Sequence, residues 1–116
     1  MVVTRGDTYN FKIKYLDKDK NPIKIPDSGI IKFTVRDRID GIQLFQKEMT
    51  LADYDETGGF YNLKIEAEDT SSVKLQGRDR VDYYYDFQLS YTANENEVIR
   101  TLDKGKFTIK YDITTN

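Results

Sequence analysis

Asp82, Tyr84 and Asp86 stand at alternate positions of the run VDYYYDFQLSY. A strand there sets two carboxylates and an aromatic ring on one face. A ring flanked by carboxylates can stack on a sugar, anchor a protein interface, or sit on a solvated sheet. The carboxylates do not suit glycosidase chemistry. Four residues along a strand, at roughly 3.3 Å each, hold them about 13 Å apart, beyond either glycosidase geometry. Tyr54 lies in a second acidic stretch with Asp53, Asp55 and Glu56, and joins Asp82, Tyr84 and Asp86 as a candidate interface or ligand-binding residue. The carboxylates of that loop have no recognisable orienting partner, so catalysis is not expected.

Two further clusters read as turns. Asp17, Asp19 and Asn21 have the odd-position oxygens of a calcium loop. An EF-hand wants glycine next and a glutamate at its twelfth position, where this chain has Pro22 and Ser28. An aspartate-rich hairpin turn is expected instead, with no metal. Arg5-Gly6-Asp7 is the tripeptide associated with integrin binding, yet it directly precedes a strand. Gly6 is read as a bend and Asp7 as a turn residue.

Two absences narrow the chemistry further. The chain has no cysteine and no histidine. Disulfides, thiolate sites, the usual neutral-pH base and the commonest metal ligand are therefore excluded. Carboxylates, lysines, tyrosines and hydroxyls remain, and no catalytic residue or cofactor is expected. Eighteen basic and twenty acidic residues are interspersed and leave a net charge of −2. No footprint for nucleic acid appears. No apolar run approaches the roughly 20 residues of a membrane span. The opening Met1-Val2-Val3-Thr4-Arg5 shows no secretory signal.

The elements that must position these residues follow from period-two alternation. With 116 residues, one domain over 1–116 is expected. Tyr9, Phe11, Ile13 and Tyr15 share a face of the first strand, which ends at the Asp17–Pro22 turn. Ile23 and Ile25 alternate with lysine before Pro26-Asp27-Ser28-Gly29 breaks the chain. Ile31, Phe33 and Val35 define the next strand, and Asp40-Gly41 turns it into a partner over Ile42–Met49. Thr50–Gly59 reads as a loop. Tyr61, Leu63 and Ile65 resume the alternation, and Ala67–Leu75 holds at most one helical turn. Val81, Tyr83, Tyr85, Phe87, Leu89 and Tyr91 form the inward face of the strongest strand, where Tyr83 or Tyr85 suits a tyrosine corner. Asn94-Glu95-Asn96-Glu97 makes a hairpin tip, Val98–Leu102 returns, and Asp103-Lys104-Gly105 turns the chain into Phe107, Ile109, Tyr111 and Ile113. Thr114-Thr115-Asn116 reads as a frayed end. Seven to eight short strands with almost no helix point to an all-β, antiparallel sandwich or barrel.

Several segments occur in an order found together elsewhere: Arg5-Gly6-Asp7-Thr8-Tyr9, Asp19-Lys20-Asn21-Pro22-Ile23, Ile31-Lys32-Phe33-Thr34-Val35-Arg36, and Gly59-Phe60-Tyr61. Ile65-Glu66-Ala67-Glu68-Asp69-Thr70, Tyr83-Tyr84-Tyr85-Asp86-Phe87-Gln88-Leu89 and the ending Gly105-Lys106-Phe107-Thr108-Ile109 through Asp112-Ile113-Thr114 continue it. Over nearly its full length the chain resembles the small immunoglobulin-like β-sandwich modules of tailed bacteriophages and prophages, including N-terminal modules of upper-baseplate and receptor-binding tail proteins. One departure is that Arg78-Asp79-Arg80-Val81-Asp82 follow Gly77, where such modules pass straight into the tyrosine run.

The resemblance implies an antiparallel immunoglobulin-like β-sandwich of seven to eight strands. It implies a structural virion protein of the tail or baseplate, or one associated with the capsid, present in host cytoplasm during assembly. The implied partners are other virion subunits and further copies of the chain, as a homo-oligomer. The alternative is a carbohydrate-binding module for a host cell-surface glycan, resting on Tyr84 with Asp82 and Asp86 and on Tyr54.

Overall fold

A computed structural model describes residues 1–38 and 41–111. Among these residues the chain is all-β, with strands β1 (Val2–Thr4), β2 (Tyr9–Ile13), β3 (Ile30–Arg36), β4 (Gln43–Met49), β5 (Tyr54–Asp55), β6 (Phe60–Ile65), β7 (Arg80–Ala93) and β8 (Asn96–Lys110). One helical turn, α1 (Ala67–Ser71), follows β6, and a 3-10 turn (Leu51–Asp53) follows β4. The strands form a five-stranded sheet in the order β1-β8-β7-β3-β4 and a three-stranded sheet in the order β2-β6-β5. No helix is long and apolar enough to cross a membrane among the described residues. The Asp40-Gly41 turn, Ile113 and the Thr114-Thr115-Asn116 end lie at least partly outside the described residues.

Alternation does what it predicts in the long strands. Ile31, Phe33 and Val35 are fully buried, as are Phe107 and Ile109 opposite the β7 face. Tyr61, Leu63 and Ile65 supply the three-stranded sheet's share, and one apolar cluster draws on both sheets. Phe33 is its hub. Its ring lies 4.8–6.0 Å from those of Phe45, Tyr85, Phe87 and Phe107, in the tilted geometries that aromatic quadrupoles favour.

Four expectations are corrected. The five-stranded sheet is mixed, not wholly antiparallel, because β1 runs parallel to β8 with Val3 beside Ile109. The chain then crosses to the other sheet at Arg5-Gly6. Gly6 adopts a φ of +80°, in the region that favours glycine, and its N–H donates to Thr70 Oγ1 at 2.9 Å. Arg5 Nη1 donates to Val73 O at 2.9 Å, so Arg5 and Gly6 tie the start of the chain to α1 and the residues just after it. Second, the alternating Ile23 and Ile25 form no regular strand; an isolated bridge joins Leu16 to Pro22, and the buried Ile25 donates its N–H to the Tyr61 hydroxyl. Third, the Thr50–Gly59 loop contains the two-residue β5, paired to β6.

The fourth correction affects the site most. Asp103-Lys104-Gly105 is not a turn: β8 runs unbroken for 15 residues and pairs along β7 for its whole length. Leu102 is accommodated as an extra residue between Phe87↔Asp103 and Gln88↔Thr101. Gly105 sits opposite Tyr85, whose ring atoms come within 3.0 Å of where a Cβ would stand. The glycine makes room for a cross-strand aromatic ring, a role its local sequence does not distinguish from a turn.

Candidate functional site

On β7, the residues that do not face the core point to the outer side of the five-stranded sheet. Register then decides their neighbours. Tyr84 is flanked across the strands by Arg36 on β3 and Lys106 on β8, and Asp86 by Thr34 and Lys104. Asp82 lies opposite Thr108. Three adjacent strands thus surround one half-buried tyrosine ring with two cations and, along its own strand, two carboxylates.

The carboxylates are engaged. Arg36 Nη1 donates to Asp86 Oδ2 at 2.9 Å, with both side chains about two-thirds or more buried. Thr108 Oγ1 donates to Asp82 Oδ1 at 2.7 Å, and Lys106 Nζ stands 4.0 Å from Asp82 Oδ2. Two residues before Arg36 on β3, Thr34 is buried and its hydroxyl accepts a hydrogen bond from Gln46 Nε2 at 2.9 Å. A shallow groove of about 380 Å³ opens here, bounded chiefly by Arg36, Tyr84, Asp86, Thr101, Lys104 and Lys106. Such a surface can stack a flat apolar face on Tyr84 and offer charged donors and acceptors around it.

Tyr54 does not belong to this constellation. It stands on β5 in the other sheet, its ring 4.9 Å from that of Tyr61. Lys24 Nζ lies 5.7 Å over the Tyr54 ring and pairs with Glu56. That hydrogen-bonded carboxylate holds the Lys24 ammonium above its ordinary pKa. The rest of the acidic stretch closes turns: Asp53 Oδ2 accepts from Thr50 N–H, and Asp55 Oδ1 from Gly58 N–H. Asp17 is occupied in the same way, its Oδ1 accepting from the N–H groups of Asp19 and Asn21 at 2.8 and 2.9 Å. Among the described residues, no three acidic side chains gather as a metal site would require.

Tyr83 and Tyr85 of β7, unlike Tyr84, pack against the core on the inner face. Burial raises the Tyr83 phenol above its usual pKa, with the Asp37 charge adding to it. Burial also raises that of Tyr85, helped by Asp103, which the Tyr85 hydroxyl meets at 3.5 Å. Among the described residues, neither makes the backbone hydrogen bond of a tyrosine corner. Tyr9 and Tyr61 do accept backbone hydrogen bonds, from Thr4 N–H at 2.7 Å and from Ile25 N–H at 2.8 Å.

Alternation along β7 already sets Asp82, Tyr84 and Asp86 on one face, but that Arg36, Thr101, Lys104 and Lys106 adjoin them was not anticipated. The signal was present in Lys104-Gly105-Lys106, whose alternation continues a strand once Gly105 is read as a cross-strand space. No protein-family model matches the chain, and no curated protein matches it in sequence.

Proposed function

We propose that the chain is a non-enzymatic structural module of a phage or prophage particle, an immunoglobulin-like β-sandwich acting in the tail, the baseplate or on the capsid by contact with other virion subunits. The observation that carries the assembly reading is the long β8 strand. Its residues from Asn96 to Lys104 are almost all exposed, with Ile99 and Leu102 among the exposed large apolar side chains. An open, partly apolar sheet edge is a pairing surface for another chain. Two sheets sharing one core support the sandwich, and the sequence resemblance supports the virion. The module resides in the particle, and in host cytoplasm while the particle is built. Mass spectrometry of purified particles after prophage induction tests this: the polypeptide is expected in stoichiometric amounts, and its absence refutes the virion role.

The outer groove favours one second reading, a module that binds a host cell-surface glycan. Tyr84 offers a stacking face, with the Arg36–Asp86 pair beside it as hydrogen-bonding groups. Titration with host-wall polysaccharide is expected to show binding that Tyr84→Ala removes and Tyr54→Ala leaves intact. Unchanged binding in Tyr84→Ala rejects the groove as the site.

A further inference from the structure

The outward edge of β8 has a direction. Among the described residues, β1 pairs only with Thr108–Lys110, and Met1 extends that cover to the carbonyl of Lys106. From Asn96 to Gly105 the strand pairs with β7 on one side and, among the described residues, with no strand on the other. Thr108 N–H turns outward to Met1 O, and Lys110 O turns outward to Arg5 N–H. Backbone groups alternate along a strand, and the extra residue at Leu102 shifts that alternation. Glu97, Ile99 and Thr101 therefore present their backbone groups to the free edge. Their cross-strand partners Thr92, Ser90 and Gln88 place the same three side chains on the outer face. Ile99 is 59 % exposed there.

Charge is distributed unevenly along this edge. On the outer face, Glu97 lies toward the hairpin with Glu95 in its turn, and Lys104 and Lys106 lie at the other end, while Arg100 and Asp103, opposite Leu89 and Phe87, belong to the other face. A parallel copy would meet like charge with like. An antiparallel copy sets acid against base at both ends. We propose that β8 pairs antiparallel with β8 of a second copy of this chain, joining two five-stranded sheets into one continuous sheet across a two-fold axis.

The register follows from the same constraints. With Ile99 on the axis, its side chain packs on its symmetry mate. Thr101 faces Glu97 of the second copy, and Val98 faces Arg100. Past the bulge, Lys104 meets Glu95. Moving the axis to Arg100 would oppose two guanidinium groups, which is unfavourable. Lysines on an edge ordinarily guard against pairing. Here the acidic residues at the opposite end make those lysines selective for an antiparallel copy.

This inference rests on the assembly reading above and names its partner. Sedimentation velocity on the full chain, from micromolar to near-millimolar, is expected to show mass rising from 13.6 kDa toward twice that value. Ile99→Lys sets like charges together on the axis and is expected to weaken the dimer about tenfold or more. Lys104→Glu alone and Glu95→Lys alone are expected to weaken self-association. Mixing those two variants restores a heterodimer, because both ends then pair acid with base. Far-UV circular dichroism checks that each variant keeps its strand content. A wild-type chain that stays monomeric throughout, or a mixture that does not restore association, overturns the proposal. If a monomeric chain is nonetheless found in purified particles, self-pairing falls and the assembly reading stands. If the chain dimerises as described but is absent from particles, self-pairing stands and the virion role falls.

Discussion

Tyr61→Phe removes one oxygen, and the structure gives the consequence a size. Tyr61 is fully buried on β6, and its hydroxyl accepts the Ile25 N–H at 2.8 Å. Ile25 lies in the irregular stretch before β3 and is 2 % exposed, so no sheet partner or bulk water can replace that acceptor. Stranding a buried donor costs about 1–3 kcal/mol, well above the net worth of an exposed hydrogen bond. At about 4 °C per kcal/mol for a chain of this size, the Tm falls by about 4–12 °C. Urea and thermal unfolding followed by circular dichroism measure both quantities. Alkaline pH supplies a second readout. Burial raises the Tyr61 phenol above its ordinary 10.0, although the Ile25 hydrogen bond pulls the other way. A raised folded pKa gives stability that is complete below about pH 10 and is lost as pH climbs through the folded value, because the unfolded chain loses its proton first. Wild type therefore destabilises above pH 10, and Tyr61→Phe does so less steeply. A variant within about 0.5 kcal/mol of wild type, with an unchanged alkaline slope, refutes the argument.

Three further outcomes follow from the packing. Gly105→Val drives a side chain into the Tyr85 ring and is expected to cost about 1–3 kcal/mol; in the Tyr85→Ala background the cost shrinks, and additive urea-melt values would contradict the contact. Thr70→Val leaves the Gly6 N–H without its 2.9 Å acceptor and should destabilise by about 1–2 kcal/mol, read as a shift in the urea midpoint at constant m. Asp86→Asn breaks the half-buried pair with Arg36. After screening it should cost only about 0.5–1 kcal/mol, and the difference from wild type should narrow as salt is raised.

Strand faces were legible in this sequence wherever alternation ran long enough. Ile31, Phe33 and Val35 are all fully buried, and Asp82, Tyr84 and Asp86 share the opposite face of β7 from its core residues. Alternation is a local signal, and it fixes a face without fixing a sheet. Tyr54 and Tyr84 therefore looked like one site and lie on different sheets. β1 escaped for a related reason. Its three residues carry almost no period, and its place beside β8 comes from contacts about a hundred positions away, such as Thr108 N–H to Met1 O. β5, with two residues, pairs through the turn at Gly58-Gly59 and offers no pattern of its own.

Both candidate surfaces depend on a single misread residue. Read as a turn, Gly105 divides the chain after Leu102 into two short strands and leaves Lys104 at a loop tip. Seen as the space that admits the Tyr85 ring, it lets β8 continue from Asn96 to Lys110. That continuity carries Lys104 and Lys106 alongside Asp86 and Tyr84, which builds the groove. It also extends the free edge past the cover of β1, which exposes Ile99 and the opposed charges at its ends. The groove and the edge share Thr101 and Lys104, so a second copy seated on β8 would bring its Glu95 beside the groove's Lys104. Self-association and ligand binding at Tyr84 are therefore expected to be coupled: a ligand that engages Lys104 should shift the dimer equilibrium, and the dimer should change ligand affinity by the same factor.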